Sequence, residues 1–170
     1  MKDELSYEAV ALGDDDAVKQ ILAEICAITG MGFAAVARVT EDRWIACQVE
    51  DQIDFGLEAG AELEVRKTIC NEIRESGEPV LIDNTDTHHD WWNHPVPVLY
   101  GFHSYVSLPI QLKDGRFFGT LCALDPAPRD DHLHDHLAQL EALAARIAMI
   151  LSTKMAEPQH GPRESETPLA

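Results

Sequence analysis

Gly101-Phe102-His103-Ser104-Tyr105-Val106-Ser107-Leu108-Pro109-Ile110 is followed by a short turn at Lys113-Asp114-Gly115. The run Phe117-Phe118-Gly119-Thr120-Leu121-Cys122-Ala123-Leu124-Asp125 comes next. Val106, Leu108 and Ile110 alternate with small or polar residues, as the apolar face of a half-buried strand does. Asp114-Gly115 suits the left-handed backbone of a tight hairpin. Phe118 to Leu124 is apolar without alternation, which predicts a strand buried on both faces, in mid-sheet, with helices behind it and a cavity or loops in front.

Working outward, Asp14-Asp15-Asp16 supplies a cap and an acidic first turn for a helix whose apolar stripe is Val18, Ile21, Leu22, Ile25 and Ile28. Thr29-Gly30-Met31-Gly32 ends it. Phe33–Val39 and Trp44–Val49, joined through Glu41-Asp42-Arg43, predict a second hairpin. Residues 50–64 are expected as a loop over a sheet edge. A helix over Val65–Glu75, closed by Ser76-Gly77, and a strand over Pro79–Asp83 follow. From His132 on, Leu133, Leu137, Leu140, Ala144, Ile147 and Leu151 recur at spacings of four and three. That seam admits two readings: pairing with a second copy, or covering the chain's own sheet.

The hairpin resembles the signature of the GAF family of small-molecule sensor domains, in which a G-F-x-S-Y-x-S-x-P-I strand pairs with an F-F-G-T-L-C-A-x-D strand. Thr68-Ile69-Cys70-Asn71-Glu72-Ile73 and Glu78-Pro79-Val80-Leu81-Ile82-Asp83 resemble the helix and strand that precede the pair in bacterial signalling proteins. The resemblance covers roughly residues 15–152. It implies an α/β (α+β) fold, with a central antiparallel sheet of five or six strands, N- and C-terminal helices on one face and a ligand pocket on the other. The domain is expected over residues 14–153, with an N-terminal extension over 1–13 and a polar tail or linker over 154–170.

Composition narrows the partners. The chain has 170 residues, enough for one domain with a core, and 13 basic against 30 acidic side chains give a net charge of −17. That surplus repels nucleic-acid phosphates and anionic membranes. No apolar run approaches the roughly 20 residues of a membrane span and the N-terminus carries no signal-peptide pattern, so a cytoplasmic protein is expected. Cys26, Cys47, Cys70 and Cys122 form no Cys-x-x-Cys pair and are expected as buried free thiols.

Residues 85–100 concentrate imidazoles, carboxylates and indoles. Small-ligand pockets are largely apolar and aromatic with a few placed polar groups, often carried on loops. Trp91, Trp92, His94, Tyr100 and Phe102 are therefore expected to face a ligand, with Cys70, Asp83, Ser104 and Cys122 approaching from the neighbouring helix and strands. The structural alternative for any one of them is sealing the core.

His88 with Asp90 or His94, and separately His132 with His136, offer metal ligands at plausible spacing; the second pair is half a site with only Asp131 or Asp135 as evident neighbours, and solvated surface histidines explain these residues better. Haem ligation by His94 or His103 has no feature that selects it. In the photosensory branch of the family a Cys-His pair anchors a bilin. Asn93-His94 stands there in this chain, and an amide cannot add to a vinyl group. The cyclic-nucleotide motif of other members is missing.

No catalytic triad or phosphate-cradling loop is visible, and no enzyme is expected. No cofactor is specified by the residues. The expected function is noncovalent binding of a small molecule of unspecified identity, with the signal passed through the terminal helices of a homodimer in a histidine-kinase-like system. Two alternatives are a dimerisation module with a vestigial pocket and a thiol-dependent free methionine sulfoxide reductase using Cys70 and Cys122.

Overall fold

Asp15 begins a helix because its side chain accepts hydrogen bonds from the otherwise orphaned N–H groups of Ala17 and Val18, at 2.8 and 3.4 Å. Gly30, in the left-handed conformation, ends it. The computed structural model describes residues 3–64, 73, 74, 76–84, 102–128 and 133–156. Its helices are α1 (Glu4–Gly13), α2 (Asp16–Thr29) and α3 (Leu137–Ala156), the last preceded by a 3₁₀ turn over Leu133–His136. The strands are β1 (Phe33–Val39), β2 (Arg43–Asp51), β3 (Glu62–Glu64), β4 (Val80–Ile82), β5 (Ser104–Gln111) and β6 (Phe117–Asp125).

The six strands form one antiparallel sheet in the order β3-β2-β1-β6-β5-β4. β6 lies between β1 and β5, which is why it reads as apolar on both faces. Gly115, at φ 91°, supplies the left-handed residue of the β5–β6 turn.

Alternation divides the sheet into two faces. Val36 and Ala34 of β1, Ile45 and Cys47 of β2, Val106, Leu108 and Ile110 of β5, and Leu121 and Ala123 of β6 form one core with α1, α2 and α3. A second core on the opposite face gathers Phe33, Ala35, Ala37, Trp44, Ala46, Ile82, Tyr105, Cys122 and Leu124. Two irregularities keep both faces in phase: β1–β2 shifts register at Val36/Ala37 and β5–β6 at Ile110/Gln111. The second of these puts Phe118 on the helix side, under the Arg38 guanidinium, 4.9 Å from the ring centroid.

Three expectations change. The stretch 50–64 contains β3, too short and too acidic for alternation to reveal, which pairs with the edge of β2. Residues 4–13, within the expected extension, form α1, packed on the sheet through Ala9 and Leu12. The seam Leu133, Leu140, Ala144, Ile147 and Leu151 is buried within the same chain against α2 and the sheet, so covering its own sheet is the reading the packing supports. The expected helix over 65–75 falls almost wholly outside the described residues.

Polar contacts fasten α1 at both ends. Arg43 donates to Asp3 at 2.7 and 3.1 Å, to Glu62 at 2.7 and 3.0 Å and to the buried Ser6 hydroxyl at 3.1 Å. Lys154 of α3 donates to the carbonyls of Ala11 and Leu12, at 3.1 and 2.9 Å, in the last turn of α1, where Ala11 also accepts from the Asp14 N–H at 3.3 Å.

The Arg43 hydrogen bond holds the Asp3 carboxyl down at about 2, against an ordinary 3.8, and holds Glu62 below its ordinary value as well. A carboxylate with a depressed folded pKa supports the docked state above its ordinary pKa and loses that support as pH falls through the folded value. Protection of the α1 amides, measured against their intrinsic exchange rate at each pH, is therefore expected to fall between about pH 4 and pH 2, before that of the central strands. Arg43→Ala is expected to produce the same local loosening at neutral pH. Equal protection of α1 at pH 4 and pH 2 would show that the helix is held by apolar packing alone.

Candidate functional site

The face of the sheet opposite α1, α2 and α3, on which Ile73 packs, has an unusual floor. Across the strands, Val49, Ala35, Cys122, Ser107 and Val80 lie in one register row. The neighbouring row on one side is Ala46, Ala37, Thr120 and Pro109, and on the other Asp51, Phe33, Leu124, Tyr105 and Ile82. The centre thus consists of small side chains with hydroxyl and thiol groups, Ala35, Ala37, Ala46, Ser107, Thr120 and Cys122. The aromatic residues Phe33, Trp44 and Tyr105 stand around it. Ser107 and Thr120 are fully buried, and Cys122 is 3% exposed with its Sγ 3.7 Å from the Ala35 carbonyl oxygen.

Small residues form the middle of this buried layer and bulky ones surround it as a rim, an arrangement called here the bowl. Asp51 shapes one side of that rim. Its carboxylate accepts from the N–H groups of Ile53, Phe55 and Gly56 at 3.2, 2.9 and 2.9 Å, folding the loop back so that Phe55 lies 4.9 Å from the Phe33 ring centroid. Burial alone would raise the Asp51 pKa, but these N–H donors outweigh it and the group titrates below its ordinary range. On the other side Phe102, 2% exposed, stacks on Tyr105 with centroids 5.1 Å apart.

The described candidates divide between this bowl and its supports. Cys122 lies on the floor and Phe102 at the rim. Ser104 is buried, but strand alternation turns it away from Tyr105, and its hydroxyl donates to the Ala127 carbonyl at 2.8 Å. Asp83 follows β4, and its carboxylate accepts from the Leu133 N–H at 3.2 Å, where the 3₁₀ turn before α3 begins. Asp125, at the end of β6, accepts from Gly32 and Ala127, both at 2.9 Å. The ends of the bowl strands are therefore hydrogen-bonded directly to the start of α3 and to the α2–β1 connection.

Cys70, Trp91, Trp92, His94 and Tyr100 lie outside the described residues, as do His88, Asp90 and His132. His136 has its Nδ1 3.1 Å from Gln139 Oε1, and among the described residues no cluster of three metal-ligating side chains occurs. The remaining described thiols, Cys26 and Cys47, sit on the helix side, where burial pushes them up to about 11 and about 12 and keeps them protonated at neutral pH. Ser107, Thr120 and the three floor alanines are not among the expected site residues. The signal was available: the partners of Val106, Leu108 and Ile110 in the alternation, Tyr105, Ser107 and Pro109, must face the other side.

A family model described as the GAF domain matches residues 15–151. The chain belongs to the GAF domain family. No curated protein matches it. Among solved structures it is similar to the GAF domain of a two-component sensor histidine kinase from Bacillus halodurans, at TM-score 0.64 and 16% identity, covering 85% of this chain and 97% of that one. It is also similar to the GAF domain of an Acinetobacter phosphoenolpyruvate-protein phosphotransferase, at TM-score 0.62 and 13% identity, over 91% and 97% of the two chains. A type II free methionine-R-sulfoxide reductase from Thermoplasma acidophilum gives TM-score 0.60 and 9% identity over 88% and 96%. Identities this low establish a shared fold, and GAF is a sensory and regulatory fold of signalling proteins. Among the described residues no helix is long and apolar enough to cross a membrane.

Proposed function

We propose that this GAF domain is a signal-input module that binds a small molecule noncovalently over the bowl and carries out no reaction of its own. The observation that carries this reading is the floor itself. A core under no constraint but packing favours bulky branched side chains at the centre of a sheet, whereas here the centre holds the small side chains Ala35, Ala37, Ala46, Ser107 and Thr120, two of them hydroxylated. Occupancy is read out by the terminal helices. Asp83 and Asp125 join the strands beneath the ligand to the start of α3 and the end of α2, so a ligand that favours one arrangement of those strands shifts the helices with them. The helices would act on a histidine-kinase-like output in the cytoplasm; the similar Bacillus halodurans GAF domain comes from a two-component sensor histidine kinase.

Native mass spectrometry beside denaturing mass spectrometry tests the reading on protein as purified. A mass excess present in the native spectrum and lost on denaturation is expected, and it should decline in Thr120→Val, which removes one hydroxyl from the floor at nearly constant volume. Empty protein that also gains no mass from a metabolite library would overturn it. The thiol-enzyme alternative keeps one supporting observation, Cys122 on the floor. It requires turnover of free methionine sulfoxide that Cys122→Ser abolishes, and none is expected.

A further inference from the structure

Strand β5 outruns its neighbour. β4 pairs with it only through Val80–Ile82, opposite residues 105–107, whereas β5 continues to Gln111 against β6 on its other side. Prolines end the shorter ladder: Pro79 directly precedes β4 and Pro109 stands two residues past Ser107, and neither has an N–H to donate. Between residues 77–79, the uncovered end of β5 and α3 lies a cleft of about 290 Å³. Its α3 wall is Glu141, Ala144, Ala145 and Ala148, which share one face of the helix, and Pro79 and Leu108 add apolar surface. We propose that this cleft docks an extended segment of a partner protein, laid along the edge of β5 in line with β4, with an Arg or Lys side chain set against Glu141.

The strand edge calls for a backbone. A strand accommodates proline where the missing N–H faces an open edge, and the carbonyl of that residue faces the same way. Pro109 therefore offers the cleft an acceptor and no donor, and an added strand supplies the N–H that meets it. The dimensions agree. From Leu108 to Gln111 the edge runs about 10 Å, and from Glu141 to Ala148 the helix wall runs about 10 Å, so a partner strand of about four residues spans both. Alternate side chains of such a strand turn toward α3, where the three alanines leave room for them.

Charge identifies the partner. Among the described residues Glu141 is the one ionisable side chain on the lining, and it is exposed. Arg146, further along the same helix, turns instead to Glu24 at 3.4 Å. The cleft thus presents acceptors, and its occupant must bring donors. An excess of 30 acidic over 13 basic side chains disfavours a second copy of this chain in that role and favours a basic partner. The cleft lies on the helix side of the sheet, so the inference does not rest on what the bowl binds.

Fluorescence polarisation of end-labelled peptides with the full chain, at about 0.15 M salt, tests the proposal. The probes are peptides of about six residues that alternate valine and threonine, with Arg, Lys, Gln or Glu placed in turn at each position. Arg and Lys probes are expected to bind in at least one register, and the Glu probe of that register to bind at least ~10-fold more weakly. Glu141→Arg should reverse this order. Ala145→Trp, which fills the cleft from an exposed position, should abolish binding of every probe, with thermal melts of both variants as the folding control. N-acetylarginine amide carries the charge without the strand and should leave the bound probe in place at about 100-fold excess. No binding in any register up to about 1 mM overturns the proposal. So does an order of affinities that Glu141→Arg leaves unchanged, binding that survives Ala145→Trp, or displacement by the amide at the concentration of the probe itself, which would make the cleft a small-molecule site.

Discussion

Gly119→Ala is expected to destabilise the folded chain by about 3 kcal/mol and to lower its Tm by roughly 6–12 °C, the largest effect of any single-carbon change in the sheet. Gly119 sits in β6 between Arg38 of β1 and Ile110 of β5. A Cβ built on it would run into the Ala37 carbonyl oxygen, with the Val39 amide nitrogen next to it. Overpacking is usually relieved when a neighbouring side chain rotates. Here the obstacle is backbone held in place by hydrogen bonds on both sides, so relief requires the β1–β6 ladder to part. Against a whole stability on the order of 5–15 kcal/mol, that cost is a large share. Differential scanning calorimetry of the variant reads it, and a melt within a degree or so of the unaltered protein would show that β1 and β6 are spaced more widely than the register implies.

Ile147→Asp is expected to abolish the fold rather than to separate two folded subunits. Ile147 is fully buried among residues of α2, α3 and the sheet. A carboxyl group there has no partner and must either lose its hydration or take up a proton, at a cost of at least about 4 kcal/mol. Circular dichroism and sedimentation together distinguish the outcomes. Loss of the cooperative urea transition is expected, whereas a monomer that keeps its transition would mean that the inward seam is a contact between chains. Ala145→Glu, two residues earlier on the same helix, alters an exposed side chain and should keep the cooperative transition.

These two positions show how far a sequence goes and where it stops. Leu140, Ala144, Ile147 and Leu151 announce a helix with an apolar side, because the 3.5–3.6 residue period follows from helix geometry alone. What covers that side is not local information. The same stripe fits a second copy or the chain's own sheet, and only the placement of α2 and β5 against it assigns it to the core.

The candidate site divides along the same line. The residues 104–125 fixed the hairpin, its turn and the interior position of β6, since alternation, turn chemistry and two-sided apolarity are properties of neighbours in the chain. The cap at Asp15 and the stop at Gly30 are equally local. The floor of the bowl is not, because Ala35, Ser107, Thr120 and Cys122 come from three strands and become one surface only through register, including two irregularities that no pattern in the chain signals. Asp83 and Ser104 illustrate the point most directly. Their chemistry suits a pocket, but tertiary structure gave the carboxylate to the Leu133 amide and the hydroxyl to the Ala127 carbonyl, because a backbone group with no other partner at a helix start or loop must be satisfied by whatever side chain the fold brings near.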